Sequence, residues 1–188
     1  MEHGNIIFLN GTSSSGKSTL AKELQEQLDD LYIHMSLDDV WPRLPEKMHR
    51  IEEWWKKVPL DRFVAGFHNA IAAYSRAGVG VIIDHCTNNA EGMQDCLELF
   101  KETRVVFVEV SCPLTTLRER EEARGDRAVG QAEAQIPGYR EFREAYPYDL
   151  RLDTSVHTPG ECARRIVEVL NDTTRKTAFE RMRERGAE

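Results

Sequence analysis

Residues Gly11-Thr12-Ser13-Ser14-Ser15-Gly16-Lys17-Ser18 match the pattern Gly-x4-Gly-Lys-Ser/Thr without a mismatch, and Thr19 follows directly. The glycines let the backbone curl so that successive N–H groups point inward onto phosphate oxygens. A helix starting near Gly16 adds free amides and the positive end of its dipole. Lys17 then reaches the outer phosphates of a nucleotide such as ATP, and the Ser18 hydroxyl coordinates Mg2+. The pattern predicts a nucleotide site made by Gly11 to Thr19. It does not by itself separate kinases from other nucleotide hydrolases.

Two further kinds of residue are needed to move a phosphoryl group: a carboxylate for the acceptor hydroxyl and cations for the transferring charge. Asp38 and Asp84 each follow a predicted strand, where ligands of open α/β sheets bind. Asp38 is expected to be the general base, the alternatives being a helix N-cap or the neighbouring Asp39 in the same role. Asp84 is expected to hold Mg2+ through water or to contact substrate. Cations are offered by Arg118, Arg120, Arg124 and Arg127. Arg120 and Arg124 are four apart and share a helix face, although Glu119, Glu121 and Glu122 between them also fit a solvated, self-paired helix. The run Arg124-Gly125-Asp126-Arg127 sits where helix gives way to loop, as in a glycine-hinged lid closing over ATP. Asp153-Thr154-Ser155, between the last strand and the last core helix, is expected to approach the adenine or simply to cap that helix.

These residues must be positioned by a scaffold, and the chain alternates strand and helix signals. Apolar stretches at Ile6–Leu9, Val79–Asp84 and Val105–Val110, with shorter candidates at Tyr32–Met35 and Asp149–Asp153, read as strands. Ser18–Leu28, Phe63–Ala77, Ala90–Phe100, Pro113–Ala123 and a capping box at Thr158-Pro159-Gly160-Glu161 with the segment to Leu170 read as helices. Residues 125–148 carry three glycines and two prolines, which predicts an irregular segment. The alternation predicts an α/β domain of three layers, with a mostly parallel five-stranded sheet covered by helices on both faces and an arginine-bearing lid over about 124–140. One domain spans 1–171, and 172–188 forms a charged terminal helix or tail.

With 188 residues the chain is long enough for one self-supporting core. Its 25 Lys and Arg against 32 Asp and Glu give a charge of −7, which argues against a nucleic-acid or anionic-membrane partner. There is no apolar run of the roughly 18–20 residues that would span a bilayer and no signal-peptide pattern at Met1–Asn5, so a cytoplasmic protein is expected. The four cysteines lack zinc spacing and read as small buried apolar residues. A homo-oligomer is left open.

The loop Ile-Ile-Phe-Leu-Asn-Gly-Thr-Ser-Ser-Ser-Gly-Lys-Ser, the Asp38 segment, Leu44-Pro45-Glu46-Lys47-Met48, Ala77-Gly78 before the Asp84 strand, Ala-Arg-Gly-Asp-Arg and Leu152-Asp153-Thr154 together resemble the chloramphenicol phosphotransferase-like family of kinases. The resemblance implies an α/β P-loop kinase fold like that of adenylate kinase, with a helical substrate cap over about 41–60, phosphorylation of a small-molecule hydroxyl with ATP and Mg2+, Asp38 as base and lid arginines around the phosphates. It also implies a substrate wall from Trp41 to Val58, including Met48, Trp54 and Trp55, and from His85 to Asn89. Other small-molecule kinases (adenylylsulfate, shikimate or nucleotide types), a nucleic-acid-end kinase and a non-catalytic nucleotide-binding module are the alternatives.

Overall fold

The computed structural model describes residues 2–46, 60–124 and 130–186. Met48, Trp54, Trp55 and Arg127, and with them most of the expected cap and the tip of the expected lid, lie outside the described residues.

Five strands form one parallel sheet: β1 (Ile6–Asn10), β2 (Tyr32–Ser36), β3 (Gly80–His85), β4 (Val105–Ser111) and β5 (Leu150–Asp153), in the order β2-β3-β1-β4-β5. The strands carry little polar alternation because both faces are covered. On one face Ile7, Leu9, Ile82, Val106 and Val108 pack against Leu20, Ala21 and Leu24 of α1 (Lys17–Gln27). The same face receives Ala163, Ile166 and Leu170 of α7 (Pro159–Asn171). On the other, Ile6, Phe8, Val81, Ile83 and Phe107 meet α3 (Leu60–Arg76), α4 (Ala90–Leu99) and α8 (Ala178–Gly186). The capping box expected at Thr158 and Glu161 closes the start of α7.

Two remaining helices stand over the carboxyl end of the sheet, α5 (Leu114–Arg124) and α6 (Gln131–Ala145), while the four-residue α2 (Leu37–Val40) and a 3-10 turn at Trp41–Arg43 follow β2. α6 occupies much of the segment whose prolines and glycines predict irregular chain. Tertiary anchors override those local signals: Ala132, Tyr139 and Phe142 are buried. Glu121 of α5, 3% exposed, accepts hydrogen bonds from Gly130 N–H at 2.8 Å and Ala132 N–H at 2.7 Å. That carboxylate thus caps the start of α6, where free amides and dipole favour an anion. Arg118 pairs with Glu133 of α6 at 2.7 Å, so the charged run on α5 ties two helices together.

The terminal segment is also structural. Phe179 is fully buried against Phe8, Phe100 and Phe107. Buried Asp149 takes the Ala178 and Phe107 amides at 2.6 and 2.9 Å, and burial raises its pKa although those amides oppose the shift. Arg183 donates to the carbonyls of Leu97, Phe100 and Lys101 at the end of α4.

Candidate active site

The strand register brings the site together. Leu9 pairs with Asp84, and Asn10 pairs with both His85 and Glu109, so β1 and β3 end level while β4 runs on to Ser111. The chain leaving β1 at Gly11 has no room to spread: a Cβ there would lie 2.1 Å from Val110 O. The loop then turns through left-handed backbone at Ser14 (φ 60°) and Gly16 (φ 98°), a combination that points successive amides inward. The Ser14 and Ser15 hydroxyls are buried with no hydrogen-bond partner among the described residues. Buried polar atoms of this kind need a partner, and a cradle lined by amides and hydroxyls fits a polyphosphate.

Lys17 is 8% exposed and crosses the loop to donate to Thr12 O at 2.8 Å, with Asp84 Oδ1 3.7 Å away. Ser18 Oγ donates to Asp84 Oδ2 at 2.6 Å. His34 Nε2, from β2, lies 3.7 Å from the same oxygen, a separation that makes the contact electrostatic rather than a hydrogen bond. Burial alone would raise the Asp84 pKa, but His34, Lys17 and Ser18 outweigh it and hold the carboxyl below the usual range. A hydroxyl beside a carboxylate kept ionised suits Mg2+, which takes few protein ligands and completes its shell with phosphate oxygens and water.

The larger cavity, about 590 Å³, runs from the loop along Thr19 and Lys22 to Arg120, Arg124, Thr154, His157, Pro159 and Cys162. Arg120 donates to Thr154 Oγ1 and Thr154 O, both at 2.9 Å, and Thr154 Oγ1 donates to Ser15 O at 2.8 Å. Arg124 lines the same cavity at the end of α5. Asp153 turns away and accepts the Ser155 amide and hydroxyl at 2.8 and 2.6 Å. It lines neither this cavity nor the next.

A second cavity of about 190 Å³ is bounded by Ser36, Leu37, Trp41, His85, Cys86, Gln131 and Gln135. Four residues line both cavities: Ser13, Lys17, Asp38 and Asp84. Asp38 is exposed, and the N-cap of α2 is Ser36, whose Oγ accepts the Asp38 amide at 3.2 Å. Asp39 borders neither cavity. Trp41 stacks on Phe63, ring centroids 4.3 Å apart. His85 sits among Phe8, Phe67 and His68. Burial, with help from His68 and Lys17, depresses its pKa to about 3, so the ring is neutral at physiological pH.

Sequence reasoning passed over His34, Gln131 and Gln135. The two glutamines stand one turn apart on α6, but that spacing carries weight only once 131–145 is known to be helical. Behind them Tyr139 Oη donates to Asn10 O at 3.2 Å, and Asn10 Nδ2 donates to Tyr148 Oη at 3.0 Å. Buried Glu109 forms ion pairs with Arg143 Nε at 2.7 Å and Arg151 Nη1 at 3.0 Å.

Comparison with known proteins agrees with this architecture. Two Mycobacterium tuberculosis proteins provisionally named O-phosphotransferases, Rv2636 and MT2714, are 30% identical over 98% of this chain and 90% of theirs. The M. tuberculosis adenylylsulfate (APS) kinase CysC, solved with AMPPNP and APS, superimposes with a TM-score of 0.64 at 16% identity, covering 92% of this chain and 100% of its own. The Deinococcus radiodurans tunicamycin resistance protein gives a TM-score of 0.65 at 18% identity over 89% and 96% of the two chains. Five parallel strands, a phosphate loop after the first and these neighbours establish a P-loop kinase fold. The sequence pattern of chloramphenicol phosphotransferase-like proteins matches residues 4–171, and the chain belongs to that family of phosphotransferases.

Proposed function

We propose that the protein transfers the terminal phosphoryl group of ATP to a hydroxyl of a small molecule. The observation that carries this reading is the junction of two cavities at Ser13, Lys17, Asp38 and Asp84. A donor in the larger cavity and an acceptor in the smaller one would meet at a lysine, an ionised carboxylate and a second carboxylate open to the acceptor. Ser14, Ser15 and the loop amides hold the phosphates, and Lys17 balances their charge. Ser18 and Asp84 would hold Mg2+, which when bound offsets phosphate charge and fixes its oxygens. Arg120, tied to Thr154, and Arg124 line the larger cavity, where their charge would offset that of the phosphates. Asp38 takes the proton from the acceptor hydroxyl as attack proceeds. Trp41 and the ring of His85 give the acceptor an aromatic wall, which suits a planar or partly apolar alcohol such as chloramphenicol at its 3-hydroxyl.

ATP consumption measured with chloramphenicol, other hydroxylated antibiotics, sugars, adenylylsulfate and nucleosides tests the reading. Stimulated turnover with one acceptor class is expected. Asp38→Ala should abolish transfer while sparing ATP binding, and Lys17→Ala should weaken both. No stimulated turnover with any acceptor, or an Asp38→Ala enzyme with full activity, would overturn the assignment.

A further inference from the structure

Gln135 reaches into the phosphate loop from across the cleft. Its Oε1 accepts the Ser13 N–H at 2.7 Å, and Ser13 lines both cavities. A backbone N–H requires an acceptor, so the orientation of this amide is fixed. The oxygen faces the loop, and Nε2, with two N–H donors, is left for other partners.

The contact is built rather than incidental. Gln135 projects from α6, whose start is capped by Glu121 and whose next turn is tethered through Tyr139 to Asn10, the residue before Gly11. The helix is therefore anchored to the strand that carries the phosphate loop. A neutral amide oxygen on a phosphate-loop N–H has the chemistry of a weak phosphate oxygen: an acceptor without charge.

We propose, resting on the kinase reading above, that Gln135 is a phosphate stand-in. In the nucleotide-free protein its oxygen holds the Ser13 N–H that the terminal phosphate of ATP takes, and ATP displaces it. Because Ser13 stands at the junction with the acceptor cavity, the phosphate concerned is the one transferred. ADP, lacking that phosphate, leaves the Gln135 contact in place. A charged phosphate oxygen is the stronger acceptor, so the exchange runs toward bound ATP.

Equilibrium binding of Mg2+ complexes of ADP and of the non-transferable ATP analogue AMPPNP, by titration calorimetry, tests this on the full chain. Gln135→Ala and Gln135→Met, which remove the oxygen, should each tighten AMPPNP about two- to tenfold, the value of one exchanged hydrogen bond. Both should leave ADP affinity within about twofold. Gln135→Glu should weaken AMPPNP about tenfold or more, because a carboxylate holds the Ser13 N–H harder and repels phosphate. Unchanged AMPPNP affinity in the first two variants, or equal gains for both nucleotides, overturns the proposal. A wild-type protein that binds neither nucleotide overturns the kinase reading itself, a result that no Gln135 variant can mimic.

Discussion

Glu121 offers the sharpest test of how the helix over the cleft is held. The residue is 3% exposed and its carboxylate takes two backbone amides, Gly130 N–H at 2.8 Å and Ala132 N–H at 2.7 Å. A hydrogen bond to a charged group contributes about 1.5–3 kcal/mol, so the pair has a ceiling of about 3–6 kcal/mol. The first turn of α6 can fray to find water, which caps the observable loss at the free energy of docking that turn. We therefore expect Glu121→Ala to lower stability by about 2–3 kcal/mol. In a chain of this size each kcal/mol moves Tm by about 2–4 °C, giving a fall of about 4–12 °C. Glu121→Gln is more discriminating. Its amide oxygen replaces one acceptor, but its NH2 then faces the other backbone N–H, donor against donor. It should recover no more than about half of the loss. Urea unfolding read by fluorescence gives the global value, and hydrogen exchange at Ala132 to Ala134 gives the local one. If Glu121→Gln matches wild type in both readouts, the carboxylate is not what fixes α6, and the anchoring argued for Gln135 fails with it.

Two further predictions concern charge. The Asp84 carboxyl is held below its ordinary pKa, so its contribution is present above the unfolded value of about 3.9 and is lost as pH falls through the lower folded value. The stability gap between wild type and Asp84→Asn, measured by urea unfolding of the ligand-free protein, should therefore shrink from pH 7 to pH 3; an equal gap at both would refute the assignment. Arg183 serves three carbonyls at the end of α4, and Arg183→Ala should cost about 2 kcal/mol in the same assay. Arg183→Lys, keeping the charge without the planar fork, should recover less than half, and full recovery would show that charge alone acts there.

The central strands were legible because residues buried on both faces form unbroken apolar runs, as at Ile6–Leu9 and Val105–Val108. The phosphate loop was legible because its chemistry fixes residue types over eight consecutive positions. The helix at 131–145 was hidden because Pro137 and Gly138 are local signals, whereas Glu121, Tyr139 and Asn10 act across the fold. Glu121 itself lay in a run of charges that reads as solvated; only burial distinguishes a capping carboxylate from its exposed neighbours Glu119 and Glu122. His34 was equally silent, since nothing local marks the strand position that faces Asp84. The charged composition after residue 171 masked the Ala178, Phe179 and Met182 face that enters the core.

That last helix sets an order on how the molecule can be finished during synthesis. One side of the sheet is closed by α1 and α7, which are complete once residue 171 is made. The other is sealed by Phe179 and Met182, near the last described residue. A chain emerging from the ribosome thus carries a finished nucleotide-side layer while the rings of Phe8, Phe100 and Phe107 still wait for their cover. Domains fold as units whose exposed apolar surface is a liability until it is buried. For this protein that surface is covered only once the helix bearing Phe179 and Met182 has docked on it.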